Sequence, residues 1–317
     1  MTVGIVGLGL MGASVAAAMS LFGYRVVGIS PVESEVDRTA KRRMRKQIED
    51  VVGRKLVPGT VEHYLDQIRI SNDFQDLSAC DMVIENVLEN LEVKKDILEK
   101  IEAVVKDDTI IGTNTSAIPI NTLQKFLKKR DRFLGLHWSD PAFTSQFLEI
   151  ICGDESDQKL AEKIKDISTA WNKEATLLRK DIRGFVTNRL NYAMYREAFY
   201  LVENGYASME DVDRACRTVG GVWMAFCGPF RFMDLTGVQA YYRVMKDLFP
   251  TLSDYKDVPE FVEKIAQEGG NGISNGRGFY QYSEEEAKAW EEAFANFYYD
   301  IYALKEKHPP ESLKKLT

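Results

Sequence analysis

Cysteine and histidine are scarce in this 317-residue sequence. The four cysteines, Cys80, Cys152, Cys216 and Cys227, include no Cys-x-x-Cys pair, and the three histidines, His63, His137 and His308, stand far apart. This excludes a disulfide framework and a structural zinc site, so no metal is expected and the thiols should be reduced and mostly buried. Basic charge is not in excess either: 41 Lys and Arg face 48 Asp and Glu, a formal net charge of −7. Nucleic acid is therefore not expected as the main partner, because phosphate binding is driven by clustered positive charge. No stretch stays apolar for the roughly 18 residues that a membrane span needs. The opening MTVGIVGLG enters a strand almost at once, without the charged region, apolar core and cleavage site of a leader, so a cytoplasmic location is expected. Only nine prolines occur, with no low-complexity tract or repeat, which is the composition of an ordinary folded chain.

What is there is enough chain for two hydrophobic cores. Short apolar runs alternate with helical patterns through the first half. Val3 to Val6, Tyr24 to Ile29, Met82 to Ile84, Thr109 to Ile111, Phe133 to Leu136 and Phe147 to Ile151 read as buried strands. Such alternation predicts an α/β fold built on a doubly wound, mostly parallel sheet. Between the second strand and Arg69 a long polar insert with two helical stretches, broken at Val57-Pro58-Gly59, reads as a helical hairpin. Beyond about Asp181 the strand signal fades, and Phe185 to Asn204 reads as a long helix closed by Gly205. The expected organisation is a nucleotide-binding domain over residues 1–182 and an all-α domain over 183–317. A final charged helix, Glu284 to about Lys307, carries Trp290, Phe294, Phe297, Tyr298 and Tyr302 on one or two apolar faces, suited to packing on the helical domain or on a second subunit.

The first strand runs directly into Gly7-x-Gly9-x-x-Gly12 and then a helix, the context in which this loop binds a dinucleotide. Gly7 allows a tight turn, Gly9 lets backbone approach a pyrophosphate, and Gly12 lets helix pack closely on strand. Leu10 and Met11 complete the loop at the helix N-terminus, whose free N–H groups face the phosphates. The acidic residue that usually ends the second strand and binds the adenosine ribose is here Ser30, which does not repel a 2′-phosphate as a carboxylate would. NAD is the expected cofactor, with NADP left open. Arg38, Lys41 and Arg42 could supply positive charge, or form a solvated helix face, and Glu33 could reach back to the ribose.

TNTSAIPI carries Asn114 and Ser116, His137 ends an apolar strand, and Glu149 lies twelve residues further on in FLEII. Alcohol oxidation by hydride transfer needs a base for the hydroxyl proton, and histidine has a suitable intrinsic pKa. A carboxylate on the ring would orient it and stabilise the imidazolium, and two successive strand ends can bring His137 and Glu149 together. In order along residues 4 to about 282, GLGLMG, IENVLENLEVKKDIL, TNTS, LGLHWSDP, FLEII, GFVTNRL, GPFRFMDLTG and GRGFYQY resemble the 3-hydroxyacyl-CoA dehydrogenase family. The resemblance implies His137 as general base, Glu149 as its partner, Ser116 on the substrate oxygen and Asn188 facing the same site. It further implies Glu89 and Lys94 on the nicotinamide side of the cofactor, Asn114 near it, and a Rossmann-type domain followed by a helical domain that mediates a homodimer.

Several positions depart from the fatty-acid enzymes of that family. Asp140 stands where they carry an amide, Arg183 replaces a proline, Arg231 replaces a glutamate, Ser274 replaces a lysine, and GGVWMAFCGPF is longer than their segment. These features look more like the branch acting on small free acids, with L-gulonate 3-dehydrogenase and lambda-crystallin, carnitine dehydrogenase and a pyridine-carboxylate 5-dehydrogenase. A small acid needs a cation for its carboxylate. Arg231 and Arg196 are candidates, although the position of Arg196 better suits an exposed helix residue; Asp140 would act on the field at His137, and Trp138, Trp223 and Phe226 could wall a pocket, although aromatics more often fill a core. The opposing expectation is a CoA thioester, with Lys41, Arg42, Arg43, Arg45 and Lys46 holding phosphates. A non-catalytic, crystallin-like structural role is the remote alternative.

Overall fold

The computed structural model describes residues 1–30 and 35–308, so Glu33 lies outside the described residues. The chain divides into two compact units, Met1–Arg189 and Leu190–Thr317.

The first unit is built on eight strands: β1 (Thr2–Val6), β2 (Arg25–Ile29), β3 (Ile68–Ser71), β4 (Met82–Glu85), β5 (Ile110–Thr113), β6 (Phe133–Trp138), β7 (Leu148–Cys152) and β8 (Thr176–Leu178). They form one sheet in the order β3-β2-β1-β4-β5-β6-β7-β8. Neighbours are parallel except β6 and β7, which run antiparallel with His137 paired to Glu149. Strands β4, β6 and β7 are buried at every residue, as expected of near-continuous apolar runs covered on both faces. Strands β3 and β8 are the two that periodicity missed. Both sit at sheet edges, and four or three half-covered residues leave little hydrophobic pattern to find.

Helix α1 (Leu10–Leu21) follows the glycine loop. The insert folds as α2 (Glu35–Gly53) and a short α3 (Val61–Leu65), capped by the Thr60 side chain. Helices α4 (Leu91–Val104), α5 (Ile120–Gln124) and α6 (Gln158–Ser168) link the remaining strands, and α7 (Thr187–Glu203) begins at the end of this unit. Two apolar clusters result. One joins α1, α2 and the β1 and β6 strands around Met19, Met44, Leu136 and Trp171; the other joins β4, α4 and β5 around Leu77, Leu98, Ile111 and Phe133.

The second unit is all helical: α8 (Met209–Ala215), α9 (Gly221–Phe226), α10 (Pro229–Thr236), α11 (Val238–Leu248), α12 (Glu260–Gln267) and α13 (Glu284–Lys307), with one π turn at Cys216–Gly220. Helix α13 opens with a capping box between Ser283 and Glu286. Ser253 is the sole buried residue among the described residues 190–308. No described helix is long and apolar enough to cross a membrane. All four cysteines are free thiols, but Cys216 is exposed and Cys227 half-buried, which corrects the expectation that most would be buried.

One lysine fastens the connection that carries β6 into β7. Lys173 is buried at 6% exposure, donates from Nζ to the carbonyls of Ala142 and Ser145, and lies over the rings of Trp138 and Phe22. Ala142 N also donates to Ser14 Oγ of α1 at 2.9 Å. Burial pushes the Lys173 ammonium down to about 7. Between pH 7 and 10 the unfolded chain therefore holds a proton that the folded chain has released, and stability contributed through Lys173 rises with pH in that window. In urea unfolding, wild type should gain on Lys173→Met by up to about 1.4 kcal/mol per pH unit above pH 7. Parallel pH dependence in the two proteins would show that Lys173 stays charged in the fold.

Candidate active site

The strand order reverses between β1 and β4, and ligands of open α/β sheets bind at the carboxyl ends of strands at such a switch point. Gly7 takes φ +88°, and its N–H donates to Ile29 O at 2.9 Å, which turns the chain sharply out of β1. A Cβ at Gly12 would lie 1.8 Å from Gly7 O, so only glycine lets α1 start this close to the strand. A Cβ at Gly9 would meet nothing within 4 Å, leaving open space where a pyrophosphate needs to approach backbone. Leu10 is exposed, Met11 is half-buried, and Ser30 is buried just beyond β2. This cradle fits a dinucleotide on the free N–H groups of α1.

Three strands away, the antiparallel register of β6 and β7 sets His137 directly beside Glu149. His137 Nδ1 lies 2.9 Å from Glu149 Oε2, and Nε2 lies 3.1 Å from Ser116 Oγ. Glu149 is fully buried. Its other oxygen accepts from Val186 N at 3.1 Å, Thr187 N at 2.9 Å and Thr187 Oγ1 at 3.1 Å, at the start of α7. Burial pushes the Glu149 carboxyl up, but the bonds from His137 and Thr187 outweigh it and hold the group below the ordinary carboxylate value. An ionised Glu149 can only accept, so Nδ1 carries the ring proton and the Nε2 lone pair faces Ser116. Phe147, edge-on at 5.2 Å, and Phe185 at 5.6 Å complete the walls of the imidazole. Phe185 is itself fully buried and takes φ +53° after Gly184 at φ +81°, a left-handed pair that turns the chain into α7.

The other expected residues fall into two sets. Asn188 Nδ2 donates to Ser116 O at 3.0 Å, so it braces the serine's own peptide. Asn114 accepts from Trp138 N at 3.0 Å and donates to Asn86 Oδ1 at 2.9 Å, tying the carboxyl ends of β4, β5 and β6 together. Glu89 lies beside the turn that carries Ser116 and accepts from Ser116 N at 3.2 Å. Burial pushes its carboxyl up, but the Thr115 hydroxyl, Lys94 and the N–H groups of Ala117 and Ile118 hold it below the ordinary value. Lys94 has no exposed surface and sits 2.9 Å from both carboxylate oxygens of Glu85. Trp138 is likewise 2% exposed and packs on Trp171, so its indole belongs to the core and not to a pocket wall.

Asp140 lies on the surface, accepting from Gln47 Nε2 of α2 at 3.2 Å. Arg231 on α10, Arg196 on α7 and Phe226 on α9 belong to the second unit and are exposed, and Trp223 stacks on Phe232 at 4.6 Å. Sequence reasoning missed Glu85, Asn86, Thr187, Phe147 and Phe185. A charge closing the apolar run MVIE signals Glu85, because a carboxylate at the end of a buried strand requires a partner; the others carry no such signal.

A dinucleotide cradle in the same unit as a histidine paired with a buried carboxylate is the framework of an NAD-dependent dehydrogenase acting on a hydroxyl group. The chain belongs to the 3-hydroxyacyl-CoA dehydrogenase family: residues 2–182 match the model of its NAD binding domain and residues 184–282 that of its C-terminal domain. A curated relative is the 5-formyl-3-hydroxy-2-methylpyridine 4-carboxylate 5-dehydrogenase of Mesorhizobium japonicum, 32% identical over 289 residues and covering 90% of this chain and 92% of that protein. A crystal structure of a 5-dehydrogenase for the same pyridine acid, described as an NAD+ dependent dismutase, superposes with a TM-score of 0.85 at 31% identity over 98% of both chains. The (S)-3-hydroxybutyryl-CoA dehydrogenase of Ralstonia eutropha superposes with a TM-score of 0.73 at 28% identity over 89% of this chain and 99% of that one.

His137→Ala is expected to lower kcat/KM by about 10²- to 10⁴-fold, the usual worth of a positioned general base. Glu149→Gln, which leaves one oxygen for donors on two sides, should fall in the same range. Initial rates of NADH formation check both; full activity in His137→Ala would remove it from the chemistry.

Proposed function

We propose that this chain is an NAD-dependent dehydrogenase of a small, carboxylate-bearing alcohol, handled as the free acid, and that it works in the cytoplasm as a homodimer. The observation that carries the substrate class is the extent of likeness. The pyridine-carboxylate enzyme superposes with a TM-score of 0.85, whereas the acyl-CoA enzymes of Ralstonia eutropha and Archaeoglobus fulgidus superpose with 0.73 and 0.67. The family models end at residue 282, before α13.

In this reading Ser116 Oγ holds the substrate oxygen and His137 Nε2 takes its proton. Glu149 stabilises the imidazolium, while Asn188 keeps the Ser116 peptide in place. NAD+ bound on Gly7, Gly9, Leu10, Met11 and Gly12 supplies the hydride acceptor, with Ser30 at the ribose end and Asn114 and Glu89 at the nicotinamide end. The sequence departures alone assign Arg231 to the substrate carboxylate and Asp140 to the field at His137; both side chains are exposed. The acyl-CoA reading is favoured by one observation, the exposed Lys41, Arg42, Arg43 and Lys46 on α2, which suit phosphates. The four free thiols agree with a reducing compartment.

The test is a panel of acetoacetyl-CoA, free 3-hydroxy acids and hydroxymethyl- or formyl-pyridine carboxylates, each with the matching form of NAD. A free acid is expected to exceed the thioester by about tenfold or more in kcat/KM; turnover of the thioester alone would sink the free-acid reading.

The homodimer rests on the second unit. Leu190, Tyr192, Val222, Phe230, Trp290, Phe294 and Phe297 are all exposed there, and patches of this kind mark interaction sites. Size-exclusion chromatography with light scattering should return twice the mass of one chain, and Trp290→Asp with Phe294→Asp should shift it toward one. A monomeric wild type at micromolar concentration would contradict the dimer.

A further inference from the structure

Glu149 holds more donors on one oxygen than its burial requires. A carboxylate oxygen has two lone-pair directions, and backbone meets both of those on Oε1: Val186 N at 3.1 Å and Thr187 N at 2.9 Å. A third donor nevertheless arrives, the Thr187 hydroxyl at 3.1 Å. A hydroxyl has one proton to donate, and Thr187, the first residue of α7, directs it at this carboxylate. The opposite oxygen takes His137 Nδ1 at 2.9 Å. Burial pushes the carboxyl up, and the bonds from His137 and from the Thr187 N–H and hydroxyl draw it below the ordinary value. The hydroxyl is thus one of the groups that disperse the Glu149 charge.

That charge acts on the ring. A bare carboxylate in a buried site stabilises an imidazolium strongly, and a ring held protonated cannot accept the proton of an alcohol. We infer that Thr187 is a positioning residue for the base: its hydroxyl, the third donor on Oε1, draws carboxylate charge away from His137 and favours the neutral imidazole that alcohol oxidation needs. The inference rests on the proposed reading of His137 as general base. Satisfying the buried anion does not call for the hydroxyl, because two N–H groups already do so. The other charges around the pair have partners of their own. Glu89 reaches His137 through Ser116, whose N–H it accepts at 3.2 Å, and it lies 3.6 Å from Lys94, which is paired with Glu85. Lys173 sits over Trp138 of β6 and holds the carbonyls of Ala142 and Ser145, and Asp140 accepts from Gln47 on the surface. Arg183 and Arg189, which flank Thr187 in the chain, are exposed, and β8 sets the uncharged Thr176 beside Glu149. Phe147 and Phe185 bring no charge to the ring.

The test is the titration of His137 itself, followed by NMR of histidine-labelled protein. The chain has three histidines, so the imidazole signals are few and His137→Ala identifies the one in question. Thr187→Val keeps the branched shape and removes the hydroxyl; the midpoint of the His137 titration is expected to rise by about 0.5 unit. Thr187→Ala repeats the deletion with a smaller side chain, and Thr187→Ser, which keeps the donor, should restore the wild-type midpoint. With whichever panel substrate turns over, kcat/KM for oxidation by Thr187→Val should fall about threefold on the acid limb of the pH profile, the factor that half a unit represents. Above that limb it should converge on wild type. A midpoint unmoved in both deletions, a shift that Thr187→Ser fails to reverse, or a rate loss equal at every pH would overturn the inference and leave the hydroxyl as an anchor of α7. The titration needs neither substrate nor cofactor, so a chain that turns over nothing in the panel would sink the proposed function while still deciding this question.

Discussion

The site depends on the buried Glu149 carboxylate, which is shared between two elements. One oxygen takes the imidazole of His137 and the other takes the first N–H groups of α7. A charge buried this deeply persists only when its lone pairs are met by donors. Its four donors come from β6 and from the start of α7, so the orientation of the imidazole and the direction in which the helix begins are decided by the same carboxylate. The left-handed Gly184 and Phe185 make that geometry possible by turning Val186 and Thr187 back toward β7.

A similar economy runs through the rest of the site. Asn114 spends its amide on joining strand ends, Asn188 spends its own on the Ser116 peptide, and Lys94 spends its charge inside the protein. Each of these side chains is held by other protein groups in the absence of any ligand. Preorganisation of this kind keeps His137, Glu149 and Ser116 at fixed separations before any ligand arrives.

Much of this was legible in the linear order. Gly7, Gly9 and Gly12 following an apolar strand announced the cradle, because each glycine answers a steric demand that any side chain would violate. His137 and Glu149, each inside an apolar run, stood out as polar groups in buried strands, and the family motifs supplied their roles. Strands β3 and β8 escaped because edge strands bury too little to impose a pattern. Trp138 was open between pocket and core, since an aromatic residue next to a histidine looks the same in either place; packing against Trp171 and Lys173 settled it.

By itself, then, the sequence determined the cofactor class and the α/β then all-α succession, because glycine spacing and periodicity are local properties, and it marked His137 and Glu149 as polar residues within apolar runs. Only the tertiary structure decided that His137 and Glu149 are cross-strand partners, that Glu149 also caps α7, and that Lys94 is sealed against Glu85. Those relations join residues up to dozens of positions apart, and they exist only once β4, β5, β6 and β7 lie side by side. Strand register and helix direction are products of the packed core, and no run of residues carries them alone.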